Sequence, residues 1–558
     1  MQRLFFIFNF IFAQNPYPQD YFRAPLDIPL VLSGTFAELR SNHFHAGLDI
    51  KTQQRTGLNV FVAADGYVSR IKISHYGYGK ALYITHPNGY TTVYAHLKKF
   101  NPEIEAYIKT LQYNKETYDV EVFPNPDELN VKKGDVVAFS GNTGGSGGPH
   151  LHFEIRDKEE RPMNPMLFGI DVKDTRAPMV LGVFAYPKSN NAHINNSNKR
   201  TKLRLTPVAN NTFISENIDA FGKVGFGVVS YDQQDFASNK NGVNKIETTF
   251  NGIKKIELDF KRFSFNETRH LNRLIDYEYF KSKKSRIQKL FVEPNNPLSI
   301  YKNVDDDGYV QIEDSTSSIY TIKIKDYKGN ISTIKIPIKG VKNDSITPYK
   351  PEVTDYYVYQ GQPTNLKQEN VSVYFPKETF YDNFFIDFKV SNDTLTLHKP
   401  TIPAQKSFYI NFDISHYKDD DKNKLYIASV SPYKNKIYYT NTIKKGNILS
   451  TSTKSLGTYT LGIDANGPTI EAVNFKDGKW LSKYRYLKLK INDTESGIKS
   501  YRATVNGKWI LTEYDYKTGL LIHDFNDNKI VDTKNNLKVI VTDNVGNSST
   551  FEITFFRK

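Results

Sequence analysis

The sequence predicts a mainly β fold divided into several domains, and three observations carry that prediction. At 558 residues the chain is too long for one core, since domains centre on roughly 100–200 residues. Tyr and Phe number 37 each against 4 Met, within text rich in Ile, Val and Thr, the residues that suit a pleated, half-buried surface. Alternating runs bounded by Gly, Asn and Pro turns recur throughout, and long helical patterns are few. Hydrophobic content of 39% and charged content of 24% are ordinary for a folded protein.

Residues 1–13 read MQRLFFIFNFIFA. Arg3 supplies a basic start, residues 4–12 an apolar run and Ala13 a small terminal residue, which is the pattern of a secretory signal. The run is shorter than the roughly 20 residues of a membrane span, and no later stretch is long and apolar enough to cross. Ile11 is not the small residue usually wanted two positions before a cut at Ala13. There are no cysteines. That excludes a lipid-modified Cys, a disulfide framework and any Cys nucleophile or ligand, and it suits export.

Residues 17–171 read as a compact antiparallel β domain. Short strands are expected at 58–63, 66–73, 81–85 and 91–96. Asn88-Gly89 between two of them is a hairpin signal. An insertion follows at about 100–130. Asn101 can cap a helix with Pro102 in its first position, and Ile104, Tyr107, Ile108 and Leu111 share a face. Such a segment either borders a substrate groove or decorates the periphery. Residues 171–178 read as a linker.

The remaining chain is strands and polar turns. Gly242-Val243, Ile246, Phe250 and Asn251-Gly252 recur at the same offsets as Gly497-Ile498, Tyr501, Val505 and Asn506-Gly507. The pentapeptides 326–330 (DYKGN) and 543–547 (DNVGN) each follow an alternating strand. Related Ig-like β-sandwich domains are therefore expected at 172–344 and 466–558, with a third β-sandwich at 345–465.

Chemistry concentrates early. His43, His45, His75, His86, His96, His150 and His152 are seven of the twelve histidines. In residues 141–155 (GNTGGSGGPHLHFEI) a glycine-rich turn enters a strand, so His150 and His152 share one face and Leu151 and Phe153 the other. Upstream, His45 and Asp49 offer zinc-type donors at i and i+4. Neither cluster alone supplies the three protein ligands of a catalytic zinc, and together they do. His43 reads as structural, and His75 and His86 as surface residues beside turns. His193, His270, His398, His416 and His523 are isolated.

HAGLD at 45–49, followed by GNTGGSGGPHLHFEI at 141–155, resembles the lysostaphin/LytM-type zinc endopeptidases of peptidoglycan. VFVAADGYV at 60–68 and YAHL at 94–97 are similar to further segments of that family, and the likeness covers about residues 30–168. It implies a LytM-like domain with Zn²⁺ as cofactor on His45, Asp49 and His152. His96 and His150 match the family's two catalytic histidines outside the ligand set, and their division of labour stays open. It implies an exported enzyme of the periplasm, envelope or exterior that hydrolyses peptidoglycan peptides. The downstream domains would serve targeting, or restraint by an intramolecular contact with the active site. A net charge of +14 suits a polyanionic wall partner; the basic residues are spread out, and nucleic acid is not expected. The alternative is a non-catalytic LytM-like regulator of other wall hydrolases. Such relatives lack metal ligands, whereas this sequence keeps all three.

Overall fold

The computed structural model describes residues 15–558 except 349, 433 and 435. The expected signal at 1–13 lies outside the described residues. The chain is mostly β. Its first part comprises β1 (Leu32–Gly34), β2 (Leu48–Lys51), β3 (Asn59–Phe61), β4 (Gly66–Ile73), β5 (Lys80–Thr85), β6 (Thr91–Ala95) and β7 (Lys99–Phe100). After these come helix α1 (Pro102–Lys115), β8 (Val120–Val122), β9 (Asn130–Val131), β10 (Val136–Phe139), β11 (His150–Arg156) and β12 (Pro162–Met163).

An antiparallel sheet runs in the order β1-β2-β11-β6-β5-β4-β8, and β3-β10-β7 form a smaller one. Strand β11 lies between β2 and β6, in a register that sets His152 opposite Asp49 on one side and Ala95 on the other. Leu48, Ile50, Leu151, Phe153 and Ile155 are fully buried on the core side. Each such side chain contributes about 1.5–3 kcal/mol. A one-residue slip would turn both histidines of β11 into that core, so the pattern fixes the register.

The insertion forms the expected helix. Asn101 Oδ1 accepts from Ile104 N at 2.9 Å, Pro102 opens α1, and Glu116 closes it in the left-handed conformation. Its outer side meets the C-terminal region rather than open solvent. Tyr113 OH donates to Asp527 at 2.9 Å, Lys109 pairs with Asp527, and Tyr113 packs edge-on to Trp509 at 5.2 Å.

Two histidines expected at the surface are not there. His86 is 3% exposed because Phe22 of the N-terminal segment folds over it, with ring centroids 5.3 Å apart. His75 lies between Asp119 at 2.9 Å and Tyr501 OH at 3.0 Å, under the docked C-terminal region.

In the second region the strand Ile218–Tyr231 serves two layers. Residues 218–220 pair with Ile331–Gly340, and residues 224–231 with Met179–Pro187. Gly222, at φ 78°, makes the bend where the strand changes layer. This crossing joins thirteen strands into one connected sheet. The region shares a continuous apolar core with the first domain. Phe263 stacks on Phe36 at 5.2 Å and lies 5.4 Å from Phe44. The expected linker is fastened down, since Asn330 Nδ2 donates to Asp174 O at 3.3 Å and Ser332 Oγ to Pro178 O at 2.5 Å.

Residues 356–463 contain two five-stranded sheets and residues 469–556 a four- and a five-stranded one. Asn251-Gly252 and Asn506-Gly507 are both hairpin turns with both residues left-handed. No helix among the described residues is long and apolar enough to cross a membrane.

Candidate metal centre

Three neighbouring segments deliver the site. His45 sits just before β2, Asp49 within it, and His152 on β11. Their side chains are 8%, 8% and 2% exposed as residues. His45 Nε2 lies 3.0 Å from Asp49 Oδ1 and 3.1 Å from His152 Nδ1, and His152 Nδ1 lies 2.9 Å from Asp49 Oδ1. His150 Nε2 stands 3.4 Å from the same Asp49 oxygen. His96 follows the end of β6 at φ 59°, a strained conformation for a non-glycine residue. Its ring is 4.7 Å from that of His150 and 5.9 Å from that of His152. All five residues expected from the sequence share one space.

The backing was not legible in advance. His45 Nδ1 donates to Thr35 O at 2.8 Å. His152 Nε2 donates to Glu154 Oε1 at 2.8 Å, and Tyr78 OH donates to the same oxygen. Arg156 Nε donates to Glu154 Oε2 at 2.7 Å. Arg40 Nη2 holds Asp49 Oδ2 at 3.0 Å, directly above Gly34, where a Cβ would stand 2.4 Å from that nitrogen. Glu154 follows His152 by two and so shares its face, a signal present in the alternation. Thr35, Arg40 and Tyr78 gave none, because backbone carbonyls and long-range partners leave no local pattern.

The electrostatics follow. Burial would raise Asp49, but the three imidazoles outweigh it and hold it well below the usual range. Burial likewise opposes ionisation of Glu154, yet Arg156 and His152 bring it down to about 2. Asp49 and Glu154 raise His152 to about 9 against burial. Burial, with His152 and His150 adding to it, takes His96 down to about 3.

These donors fit a zinc ion. Each ligand imidazole has one nitrogen engaged by Thr35 O or Glu154, which leaves His45 Nε2 and His152 Nδ1 facing each other across 3.1 Å beside Asp49, and a cation entering there would displace the proton that the two carboxylates hold on His152. With that proton gone, two imidazole lone pairs and a carboxylate oxygen converge on one point, and a shared cation satisfies all three. Tetrahedral Zn–N and Zn–O distances of about 2.0–2.2 Å set ligand atoms roughly 3.3–3.5 Å apart, close to the spacing here. Carboxylate–histidine pairing behind a ligand is also the usual way its tautomer is fixed.

The loop before β11 completes the rim. His96 Nδ1 donates to Thr143 O at 2.9 Å and His150 Nδ1 to Gly148 O at 2.8 Å. Gly144 has φ 68° and lies against Gly79, where a Cβ would come within 2.3 Å of backbone nitrogen. From the C-terminal region, Lys517 Nζ donates to Asn142 O at 2.5 Å and to Ser146 O at 3.3 Å. Tyr516 OH donates to Gly144 O at 3.4 Å.

Residues 43–113 and 123–165 match Peptidase family M23, and residues 355–464 match the Zu5-like domain. The chain is 35% identical over 128 residues to the DD-carboxypeptidase/endopeptidase Mpg of Neisseria meningitidis serogroup B, covering 23% of each protein. An uncharacterized metalloprotease of Haemophilus influenzae is 34% identical over 122 residues, 22% of this chain and 20% of that protein. The chain thus spans about a quarter or less of the length of the curated relatives it matches. A zinc containing peptidase from Vibrio cholerae is 26% identical over 28% of this chain and 41% of its own, with a TM-score of 0.21. The catalytic domain of lysostaphin from Staphylococcus simulans is 24% identical over 25% and 88%, with a TM-score of 0.18.

Proposed function

The N-terminal domain is a LytM-like domain of peptidase family M23, and from that premise we propose that the chain is a zinc-dependent endopeptidase cutting peptides of bacterial peptidoglycan. The observation that carries the reading is the convergence of His45 Nε2, Asp49 Oδ1 and His152 Nδ1 within 3.1 Å of one another, with the far nitrogen of each ring engaged by Thr35 or Glu154. These three atoms would hold the ion. Bound there, zinc supplies a Lewis acid and a water that ionises near neutral pH.

The protein's own groups handle the protons. His150 keeps its N–H on Gly148 O, which leaves Nε2 as a base facing the ligand set. His96 keeps its N–H on Thr143 O and burial holds it neutral, so its Nε2 is likewise an acceptor. We assign to His150, the nearer to Asp49, removal of the water proton and its delivery to the leaving amine. His96 orients the attacking water and the scissile amide between the two rings. Arg40, Thr35 and Glu154 hold the ligands at their far ends, so little reorganisation is needed as charge develops.

The hairpin that carries Tyr516 and Lys517 grips the backbone of the loop on which His96 and His150 lean. We assign it a bracing role for that loop and the remaining β regions a targeting role. A peptidoglycan substrate places the enzyme in the envelope or outside the cell.

Digestion of purified peptidoglycan by the full chain, analysed by mass spectrometry, tests the reading. Cross-link peptides should be released with zinc, and release should cease with chelator and with His150→Ala. A chain that holds one zinc and releases nothing at any substrate concentration would instead be a regulator.

A further inference from the structure

Beneath Thr35, where the peptidase domain meets the next β region, three carboxylates converge. Asp174 comes from the connecting segment, Asp232 from the end of the strand Ile218–Tyr231, and Asp326 from the end of the strand Ser317–Lys325. One oxygen from each lies within 4.8 Å of the others. Asp232 and Asp326 are 4% and 3% exposed. Like charges gathered in low dielectric need compensation. Burial and the charges of Asp174 and Asp326 push Asp232 up to about 8.

A neutral group lines the adjoining cavity. Gln234 is 3% exposed and lines a cavity of about 20 Å³ with Asp174 and Asp232. Its Oε1 has no hydrogen-bond partner, nor has Asp232 Oδ1. Buried acceptors without donors are costly, and one cation satisfies both. The cavity has room for about one water-sized sphere.

We infer that Asp174, Asp232, Asp326 and Gln234 Oε1 form a Ca²⁺ site that fastens the connecting segment to the second β region. An all-oxygen donor set selects a hard cation over zinc. Mg²⁺ usually keeps several waters, for which this cavity has no space, whereas Ca²⁺ accepts a protein cage. Ca–O distances of about 2.3–2.6 Å set ligand oxygens at most roughly 4.6–5.2 Å apart, and the three carboxylate oxygens lie within 4.8 Å of one another. The site has a route to the metal centre. Gly242 lines the cavity and its N–H donates to Thr35 Oγ1 at 2.9 Å, while Thr35 O accepts from His45 Nδ1. The ion would stiffen the footing of His45.

The C-terminal region repeats part of the frame. Asn330 Nδ2 bridges Asp174 O and Asp326 Oδ2, and Asn547 Nδ2 bridges Asp464 O and Asp543 Oδ2. There, however, the neighbouring acidic group is Asp464, Asp493 and Glu495, of which Glu495 is exposed, so the inference is confined to the first site.

The test uses the full chain with its zinc site loaded by one equivalent of zinc. CaCl₂ and MgCl₂ are titrated by calorimetry, and Tb³⁺ is followed by luminescence sensitised through Tyr327, which lines the cavity. Ca²⁺ should bind saturably with Kd at or below about 10⁻³ M, and Mg²⁺ about tenfold more weakly. Asp232→Asn should bind one ion fewer. Gln234→Leu keeps every charge and the Asp232–Asn241 backbone pairing, should weaken binding several-fold, and serves if Asp232→Asn does not fold. The absence of Ca²⁺ heat and Tb³⁺ luminescence in the wild type overturns the assignment and leaves protons as the compensation. Unchanged stoichiometry and affinity in both variants overturn it equally.

Discussion

Replacing Glu154 by Gln tests how the metal centre is held. The carboxylate accepts from His152 Nε2 and Tyr78 OH on one oxygen and from Arg156 Nε on the other. Glutamine keeps one acceptor. If that oxygen stays on His152, the new NH₂ faces the Arg156 N–H, donor against donor. If it turns, His152 loses its partner. Glu154 is fully buried and Arg156 is 5% exposed, so the broken contact goes largely uncompensated by water. Removing one member of such a pair costs about 3–5 kcal/mol. Loss of a partner behind a metal-ligating histidine costs about 10–100-fold in affinity, or about 1.4–2.7 kcal/mol. The two effects separate by assay. Urea denaturation of the metal-free chain should show the stability loss, and chelator competition on the folded chain the affinity loss. Glu160→Gln, which removes only the exposed second partner of Arg156, should change neither appreciably. Zinc affinity within about twofold of wild type in Glu154→Gln would refute the idea that this carboxylate fixes His152.

Three further outcomes are expected. Gly34→Ala puts a Cβ 2.4 Å from Arg40 Nη2 and 2.7 Å from Asp49 Oδ2; displacing the guanidinium should weaken zinc about tenfold by chelator competition, and an unchanged value would show Arg40 to be dispensable. Lys517→Ala frees the carbonyls of Asn142 and Ser146; amide exchange across residues 141–149 should quicken and peptidoglycan turnover fall several-fold at unchanged zinc content, whereas a rise in turnover would mean the hairpin inhibits rather than braces. Glu293 is largely shielded from solvent, but Lys289, Lys188 and Arg273 outweigh that desolvation and bring it from 4.5 to about 2. Its stabilisation is therefore complete above about pH 4.5 and lost as pH falls through about 2. Wild type should exceed Glu293→Gln by about 3 kcal/mol at pH 6, with the gap closing towards pH 2; a gap independent of pH would contradict the assignment.

The sequence was most informative where chemistry and local pattern coincide. Period-two alternation put His150 and His152 on one face and Leu151 and Phe153 on the other, and the strand Gly66–Ile73 was readable to its ends. The cap at Asn101 announced its helix through side-chain chemistry that needs no tertiary context. What failed depended on partners far along the chain. His86 is covered by Phe22 and His75 by Tyr501, contacts 64 and 426 residues apart that leave no local trace. The segment 171–178 looked like a linker because Pro and Asp mark turns, while the groups that fasten it, Asn330 and Ser332, lie some 150 residues away. The support of the ligands divides the same way: Glu154 was within reach of the alternation, and the Thr35 carbonyl was not.

The chemistry proposed for this chain rests on one ion held by His45, Asp49 and His152, and zinc-edge X-ray absorption of the full chain at one zinc per molecule tests it most directly. The spectrum should show two imidazole nitrogens and one carboxylate oxygen at about 2.0–2.2 Å, with one imidazole lost in His45→Ala. A zinc shell without imidazole scattering, or one unaltered by that substitution, would place the metal elsewhere and remove the basis for the hydrolase.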